Sequence, residues 1–408
     1  MRSGLFGALS LGGAILNYAT YPVLAHILSA KGFGDFTVII ALSNQVLGIL
    51  LVFNIVSIYL VKSMSKEVAL ERAQLIQKLL IRFFLVLTVI LLILSPVLSS
   101  WLKVHSPLSF ILLGAILVLT IPSVVWTGYL QGHKELVRVG VFNLINASVK
   151  LVAVVTLAIA FGPTAALVGV LVGSIGGILA LLWYPGVTLP RLGTIFHAVS
   201  TDEKQFIRGI GRYILGATLV VGGLSLLQNF DIVLAKIKFT PVVAGQYSGI
   251  SILSNALYYL ALLLIWVVLP EIQIKQTSTN HRVLGTAFKL LGLIAASALI
   301  VEVLFRKVLL GILLGHQFAE LSQALIFATL YQLSLAGITL YAYYLIVIRR
   351  RQVSLLALLI GAGCLLAAVL PAANPAQMVE HLWLSLLGGL IVYLVLSFFF
   401  YEPSSQEI

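Results

Sequence analysis

Long apolar windows recur along the whole chain, and they constrain its fold more than any other feature. A helix that crosses a membrane needs about 20 predominantly apolar residues, because the hydrocarbon core is about 30 Å thick. The chain contains twelve such windows, which predict twelve transmembrane helices. They lie near residues 4–28, 36–61, 80–100, 108–130, 139–161, 165–185, 212–237, 246–270, 284–305, 319–346, 353–372 and 380–401. The first window is too long for the core of a signal peptide, so we expect it to be retained.

The composition argues against a soluble protein. Only 9% of the 408 residues are charged and 61% are hydrophobic, whereas a soluble domain has about 25% charged residues. The net charge of +12 has no soluble basic face to occupy, so we expect no nucleic-acid partner. A single cysteine, Cys364, rules out an intramolecular disulfide. Together these features predict an all-α polytopic membrane protein.

Basic residues are distributed unevenly between the two sets of loops. With both termini on one side, that side carries 18 of the 25 lysines and arginines, the other side carries 6, and Lys150 lies inside a helix. The 18 are Arg2, Lys62, Lys66, Arg72, Lys78, Arg82, Lys134, Arg138, Arg191, Lys204, Arg208, Arg212, Lys275, Arg282, Lys289, Arg349, Arg350 and Arg351; the 6 are Lys31, Lys103, Lys236, Lys238, Arg306 and Lys307. The positive-inside rule therefore predicts that both termini are cytoplasmic. The basic loops also predict contact with anionic membrane lipids.

An internal repeat divides the predicted helices into two halves. Residues 34–44 align with residues 245–255, and 5 of the 11 positions are identical. Six helices per repeat give both halves the same orientation in the membrane. We therefore expect two parallel-repeat six-helix bundles around a central cavity, at 1–187 and 212–402, joined by a cytoplasmic linker at 188–211. Chance similarity between two apolar segments is the alternative interpretation.

Polar side chains at membrane depth are costly, so those in the predicted helices are candidates for function. In the fifth helix, Asn143, Asn146 and Lys150 have the spacing i, i+3 and i+7, which places them on one face. The seventh helix carries Gln228 and Asp231, which we expect to share a face. The remaining candidates for substrate binding are Asn17, Asn44, Asn255 and Tyr258.

Each of these polar residues also has an ordinary structural interpretation. Amides and hydroxyls often form hydrogen bonds between membrane helices. Lys150 and Asp231 are harder to explain in this way because they carry charge, and their alternative is mutual neutralisation. Glu302 has Arg306 four residues further on, and we interpret these two as a structural ion pair.

Several classes of chemistry have no support in the sequence. No histidine has metal-ligand spacing with another histidine, cysteine or acid, and no Walker-type phosphate loop is present. We therefore expect no metal, no cofactor and no ATP hydrolysis. A membrane enzyme such as a polysaccharide polymerase or ligase is a further alternative, but the outer loops are too short for the catalytic loop that such enzymes generally need.

Five segments resemble bacterial oligosaccharide and polysaccharide flippases. They are Gly32–Phe36, Leu130–Gly132, Phe230-Asp231, Ala244–Ser248 and Leu314–Phe318, and the fourth leads into a helix that ends at Leu269-Pro270. Over roughly residues 1–350, the chain resembles the Wzx-type flippases of O-antigen or capsular repeat units. These belong to the multidrug/oligosaccharidyl-lipid/polysaccharide exporter superfamily.

The resemblance implies a function in the bacterial inner membrane. The chain would move a polyprenyl-pyrophosphate-linked oligosaccharide from the cytoplasmic to the outer leaflet by ion-coupled alternating access. Lys150 would bind the phosphate, the amides and hydroxyls would bind the sugars, and Asp231 would couple transport to H⁺ or Na⁺. The polysaccharide polymerase machinery would be a candidate partner.

The main alternative is a multidrug or toxin cation antiporter of the same superfamily. Such a protein would prefer an acid-rich cavity, whereas the sequence offers Asp231 as its deep acid. A scaffold role is a further alternative, but it does not explain a lysine near the middle of the bilayer.

The charge bias leads to a prediction about topology. Single cysteines placed at Lys66 or Arg350 should not react with an impermeant maleimide added to intact cells, because both positions should be cytoplasmic. A cysteine at Lys103 should react. Labelling is measured in a background without Cys364. The opposite pattern would reverse the orientation and, with it, the direction of export.

Overall fold

The computed structural model describes residues 2–184, 187–190, 192–197, 200–268, 277–347 and 352–399. These residues form fourteen α-helices and one 3₁₀ helix. The α-helices are α1 (Arg2–Ile27), α2 (Ala30–Ser63), α3 (Lys66–Trp101), α4 (Leu108–Gly132), α5 (Leu136–Phe161), α6 (Pro163–Leu182), α7 (Leu192–Ile195), α8 (Thr201–Gln228), α9 (Phe230–Lys238), α10 (Pro241–Val268), α11 (Thr277–Leu313), α12 (Gln323–Val347), α13 (Gln352–Val369) and α14 (Pro375–Phe399). The 3₁₀ helix, His316–Leu321, lies between α11 and α12.

Within the described residues, each predicted transmembrane window overlaps helical structure, and the all-α membrane fold is confirmed. By length and composition, 8 of the described helices can cross a membrane, or 9 if the bent pair α8–α9 counts as one span. The predicted seventh helix is not continuous, because α8 and α9 meet at a bend of 49°. Four parts of the predictions lie outside the described residues: Arg191, Leu269-Pro270, Lys275 and the cluster Arg349–Arg351.

The described residues form two compact units. The first comprises Met1–Ser225 and Lys236–Gly245, and the second comprises Leu226–Ala235 and the described part of Gln246–Ile408. The two repeated segments occupy equivalent positions in their helices, since residue 34 follows the start of α2 at residue 30 by four positions and residue 245 follows the start of α10 at residue 241 by four. The predicted domain boundaries and the central cavity remain predictions.

Glycines allow close helix packing in the first unit. A Cβ atom on Gly169 of α6 would overlap the backbone of Val154 of α5, and one on Gly173 would overlap the backbone and Cβ of Lys150. On the other side of α5, a Cβ on Gly13 of α1 would lie 3.0 Å from the carbonyl oxygen of Asn143. Small residues of this kind are typical of contacts between membrane helices, because van der Waals packing, and not the hydrophobic effect, drives their association. As a result, α5 is held between α1 and α6.

The second unit is built around the buried first half of α10. Tyr247, Ser248 and Ile250 are fully buried there, as are Tyr331 and Leu335 of α12. By contrast, α11 exposes a row of large apolar side chains, which are Leu293, Ile300, Val301, Val303, Leu304, Phe305, Val308 and Ile312. Such an apolar surface is suited to contact with lipid. The buried acids of this unit, Asp231 of α9 and Glu302 of α11, are instead turned away from this surface.

Candidate functional site

The break between α8 and α9 leaves backbone carbonyls without their usual helical partners. The last carbonyls of any helix lack intrahelical N–H donors, and no water replaces those donors in hydrocarbon. Here α12 supplies the donors. The hydroxyl of Tyr331 donates to the carbonyl of Leu227 at 2.7 Å, and Nε2 of Gln332 donates to that of Gln228 at 3.2 Å. Two side chains of α12 therefore provide hydrogen bonds for the carbonyls that the break frees at the end of α8.

Asp231 lies in the first turn of α9, directly after this break. Its side chain is 0% exposed, and its Oδ2 accepts hydrogen bonds from the Tyr247 hydroxyl at 2.7 Å and the Ser251 hydroxyl at 2.6 Å. Its Oδ1 has no hydrogen-bond partner among the described residues. Negative charge is favoured in the first turn of a helix by the helix dipole. The site is therefore a buried carboxyl with one oxygen available to a proton or a small cation.

Two other predicted binding residues of α10 lie in the same unit. Nδ2 of Asn255 donates to Oδ1 of Asn229 at 3.2 Å, while Oδ1 of Asn255 and Nδ2 of Asn229 have no partner among the described residues. The Tyr258 hydroxyl lies 3.4 Å from that of Thr339. Asn255 and Tyr258 are therefore buried, and they contact Asn229 at the break and Thr339 of α12.

Gln228 and Asp231 do not share the face of one helix, so this part of the prediction is wrong. Gln228 ends α8 and Asp231 follows the bend, because Asn229 interrupts the helix between them. Nε2 of Gln228 has no partner among the described residues, and its backbone carbonyl is held by Gln332.

Glu302 is the second buried acid of this unit. It is 6% exposed, its Oε1 accepts a hydrogen bond from the Thr329 hydroxyl at 2.7 Å, and its Oε2 has no partner in the described part of the chain. The expected ion pair with Arg306 is wrong. The buried carboxyl contacts α12 through Thr329. The ion pairs found among the described residues are Glu135–Arg138 and Asp35–Lys236.

Lys150 lies fourteen residues from the start of α5 and is partly exposed. At about 1.5 Å per residue, this places it about 21 Å along the helix axis, near the middle of a membrane span. None of the described residues forms an ion pair with it. Its backbone and Cβ lie against Gly173. It is therefore a deep lysine whose ammonium group has no acidic partner among the described residues of its own unit.

The other predicted residues of the first unit have diverse surroundings. Nδ2 of Asn146 donates to the carbonyl of Gly173 at 3.1 Å, so this amide joins α5 to α6. Asn143 lies one turn earlier on α5 and is partly exposed. Asn17 of α1 and Asn44 of α2 are also partly exposed, and Oδ1 of Asn17 has no partner among the described residues. Their proposed contacts with substrate remain predictions.

A buried ion pair that the sequence did not reveal lies at the other end of α9. Nζ of Lys236, which is 0% exposed, lies 2.5 Å from Oδ1 of Asp35 in the first turn of α2. Oδ2 of Asp35 accepts from the backbone N–H of His105 at 3.1 Å. Nearby, Nζ of Lys103 donates to the carbonyls of Ile237 and Phe239, at 2.9 and 2.8 Å. Lys103 thus caps the end of α9, where the helix dipole favours a cation.

Comparison with known proteins identifies the fold. No protein-family profile matches the chain, and no curated protein matches it by sequence. A structure of the lipid II flippase MurJ in an inward closed conformation matches with a TM-score of 0.70 and 16% identity, over 97% of this chain and 87% of that one. An inward-facing multidrug resistance MATE family transporter of the MOP superfamily matches with a TM-score of 0.71 and 11% identity, over 98% of both chains.

A third match is a MOP superfamily transporter from Pyrococcus furiosus, with a TM-score of 0.55 and 14% identity, over 98% of this chain and 94% of that one. The chain has the fold of MOP superfamily transporters. The predicted superfamily architecture is supported at the level of the fold. Sequence identities of 11–16% do not identify a substrate for this chain.

The Asp35–Lys236 pair leads to a prediction about stability. Lys236→Met or Asp35→Asn alone should lower the free energy of unfolding by about 3–5 kcal/mol, because each leaves one buried charge without its partner. The double variant should recover much of this loss. Thermal unfolding of the purified protein measures all three, and Glu135→Gln, which breaks the exposed pair with Arg138, is the control. Additive losses in the double variant would show that the two charges do not depend on each other.

Proposed function

We propose that this protein is a flippase that moves a lipid-linked oligosaccharide across the bacterial inner membrane, from the cytoplasmic to the outer leaflet, by ion-coupled alternating access. Two lines of support come together. The fold is that of MOP superfamily transporters, among them a protein named as a lipid II flippase. The observation that carries the proposal is Lys150, a lysine at membrane depth that forms no ion pair with any residue that the structure describes.

The charge of Lys150 suits the polar part of such a substrate. A polyprenyl-pyrophosphate-linked saccharide brings a negative charge into the membrane, and an unpaired ammonium in a low-dielectric environment attracts that charge more strongly than it would in water. The amides of Asn143, Asn146, Asn17, Asn44, Gln228 and Asn255 and the hydroxyl of Tyr258 are the candidate partners of the sugar.

The distribution of acids supports a separate site for the coupling ion. Asp35, the buried acid of the first unit, is already paired with Lys236. In the second unit, the carboxyl groups of Asp231 and Glu302 each keep one unpartnered oxygen, but both residues are almost completely enclosed. An enclosed carboxyl can accept a proton or a small cation, but a large organic cation cannot reach it. We therefore assign H⁺ or Na⁺ coupling to Asp231.

The same observation separates this proposal from a multidrug cation antiporter, the second candidate. The match to a MATE family transporter favours that candidate. It would, however, need an acid exposed to a cavity, whereas Asp231 is 0% exposed. The two functions differ in a deletion strain, because only a flippase leaves a lipid-linked saccharide facing the cytoplasm. We expect such a saccharide to accumulate, and loss of drug resistance without accumulation would support the antiporter.

Complementation of the deletion strain tests Lys150. Lys150→Gln should reduce export at least about tenfold, because a charge-assisted contact contributes about 1.5–3 kcal/mol. Lys150→Arg keeps the charge and should retain partial export. Lys289→Gln, at an exposed position of α11, is the control for the same chemical change. Thermal stability of Lys150→Gln should be equal to or higher than that of the wild type.

Two outcomes would contradict the assignment of Lys150. Wild-type export by Lys150→Gln would remove the lysine from phosphate binding. A destabilised Lys150→Gln variant that Asp231→Asn restores would show that the lysine neutralises an acid.

Complementation also tests the coupling role of Asp231. Asp231→Asn keeps an acceptor for the Tyr247 and Ser251 hydroxyls but cannot ionise, so export should fail while expression and folding stay near normal. Asp202→Asn, at the exposed start of α8, is the matched control. Full export by Asp231→Asn across several external pH values and sodium concentrations would exclude Asp231 from coupling.

A further inference from the structure

Glu302 has no charged partner on any described element that packs against α11. From α12, Thr329 donates to its carboxyl. The 3₁₀ helix carries His316, whose ring lies beside Gly311, and Glu320, which accepts from Gln246 at 3.2 Å. Arg306 and Lys307 follow on α11 itself, and neither forms an ion pair among the described residues. An ionised carboxylate is costly in such a place unless it is paired.

The hydroxyls next to Glu302 can form hydrogen bonds with either protonation state of its carboxyl group. Each serine or threonine hydroxyl has a single hydrogen to donate. When Glu302 is ionised, Thr329 donates to Oε1 at 2.7 Å and Ser254 donates to the carbonyl of Ile250 at 3.1 Å. When Glu302 is protonated, it can donate to Thr329, whose own hydrogen can then turn to Ser254 at 3.3 Å. Both protonation states of Glu302 can therefore be hydrogen-bonded without moving a helix.

The same face of α10 leads towards the predicted coupling acid. Ser254 lies one helical turn beyond Ser251, and Ser251 donates to Oδ2 of Asp231 at 2.6 Å. One helix thus presents hydroxyls to both buried acids, Ser251 to Asp231 and Ser254 to the Thr329–Glu302 pair.

We propose that Glu302 is a second proton-binding carboxyl of the second unit, which takes up and releases a proton together with Asp231. The proposal rests on the proposed ion-coupled transport and adds a residue to it. A proton suits this position better than a metal ion, because a hard metal cation requires several oxygen ligands and the described hydrogen-bond partner of this carboxyl is the single hydroxyl of Thr329.

Modification by dicyclohexylcarbodiimide tests the protonation of Glu302 without any substrate. This apolar reagent reacts with protonated carboxyl groups: the acid O–H adds across a C=N bond of the reagent, and rearrangement leaves a stable N-acylurea with no leaving group. We expect mass spectrometry of the purified full-length protein to find the adduct on Glu302. Its rate should fall several-fold as the buffer is changed from acidic to alkaline, because the protonated fraction falls.

Two controls distinguish a proton site from a metal-ion site and from an ordinary reactive carboxyl. Glu302→Gln must lose the adduct, and Glu380, a partly exposed acid of α14, gives the behaviour of an ordinary carboxyl. Absence of the adduct at every pH, or a rate that does not depend on pH, would overturn the proposal. Slower modification in sodium than in an equal concentration of choline would show a metal-ion site and would also overturn it.

The link to Asp231 needs its own measurement. Glu302→Gln and Thr329→Val should both shift the pH at which modification of Asp231 is half-maximal, whereas Thr329→Ser, which keeps the hydroxyl, should restore the wild-type profile. A purely structural role for Thr329 would leave that profile unchanged. Identical Asp231 profiles in the wild type and Glu302→Gln would overturn the proposed cooperation between the two acids.

These experiments separate the failure of this proposal from failure of the proposed function. Modification is measured on the protein alone, so it does not depend on which substrate is carried. Export of a lipid-linked saccharide with an unmodified Glu302 would leave the flippase function in place and remove only the second proton site.

Discussion

The structure depends on one constraint, which is that polar groups surrounded by hydrocarbon must find their partners within the protein. The consequences are clearest at Asn229, where α8 stops and α9 begins at an angle of 49°. The freed carbonyls of Leu227 and Gln228 accept hydrogen bonds from Tyr331 and Gln332. Without donors on α12, an interrupted helix at this depth would carry unsatisfied backbone groups. The break thus places Asp231 in the first turn of a new helix, where a carboxylate is tolerated.

The two units differ in the partners of their buried charged side chains. In the first, the buried acid Asp35 is neutralised by Lys236, and the deep ionisable group left without a described partner is a cation, Lys150. In the second, the side chains that hydrogen-bond Asp231 and Glu302 are hydroxyl groups, as far as the described residues show. Under the proposed function, the site for the anionic substrate and the site for the coupling ion would lie in different parts of the chain.

The sequence was sufficient to predict the helices but not their interruptions or their long-range contacts. Length and hydropathy defined twelve windows, and each of them overlaps a described helix. This works because a membrane helix requires a long run of apolar residues. Neither glycine nor proline marks the break at Asn229, so the seventh helix was predicted as continuous. Asp35 and Lys236 are 201 residues apart, and both lie near the ends of predicted helices, where charged residues are common. No local pattern connects them.

Glu302 shows why a local rule can fail. The spacing to Arg306 made an ion pair possible on the surface of a helix, but burial of the carboxyl against Thr329 decided its orientation. Asn255 and Tyr258 were recognised as candidates because polar side chains are costly at membrane depth. Their partners, Asn229 and Thr339, could not be recognised, since a sequence pattern does not identify the helix that covers a residue.

The contact between Lys150 and Gly173 has a consequence for the entropy of binding. A free lysine side chain carries about 2 kcal/mol of rotamer entropy, and an anion that captures its ammonium group must restrict this freedom. Here the backbone and Cβ of Lys150 already lie against a residue without a side chain, and α5 is held between two neighbouring helices. A Cβ atom on Gly173 would also lie 3.0 Å from Cγ of Lys150, so the packing against α6 restricts the first torsion of the lysine side chain. Under the proposed function, a glycine on α6 would in this way reduce the entropic cost of binding the phosphate.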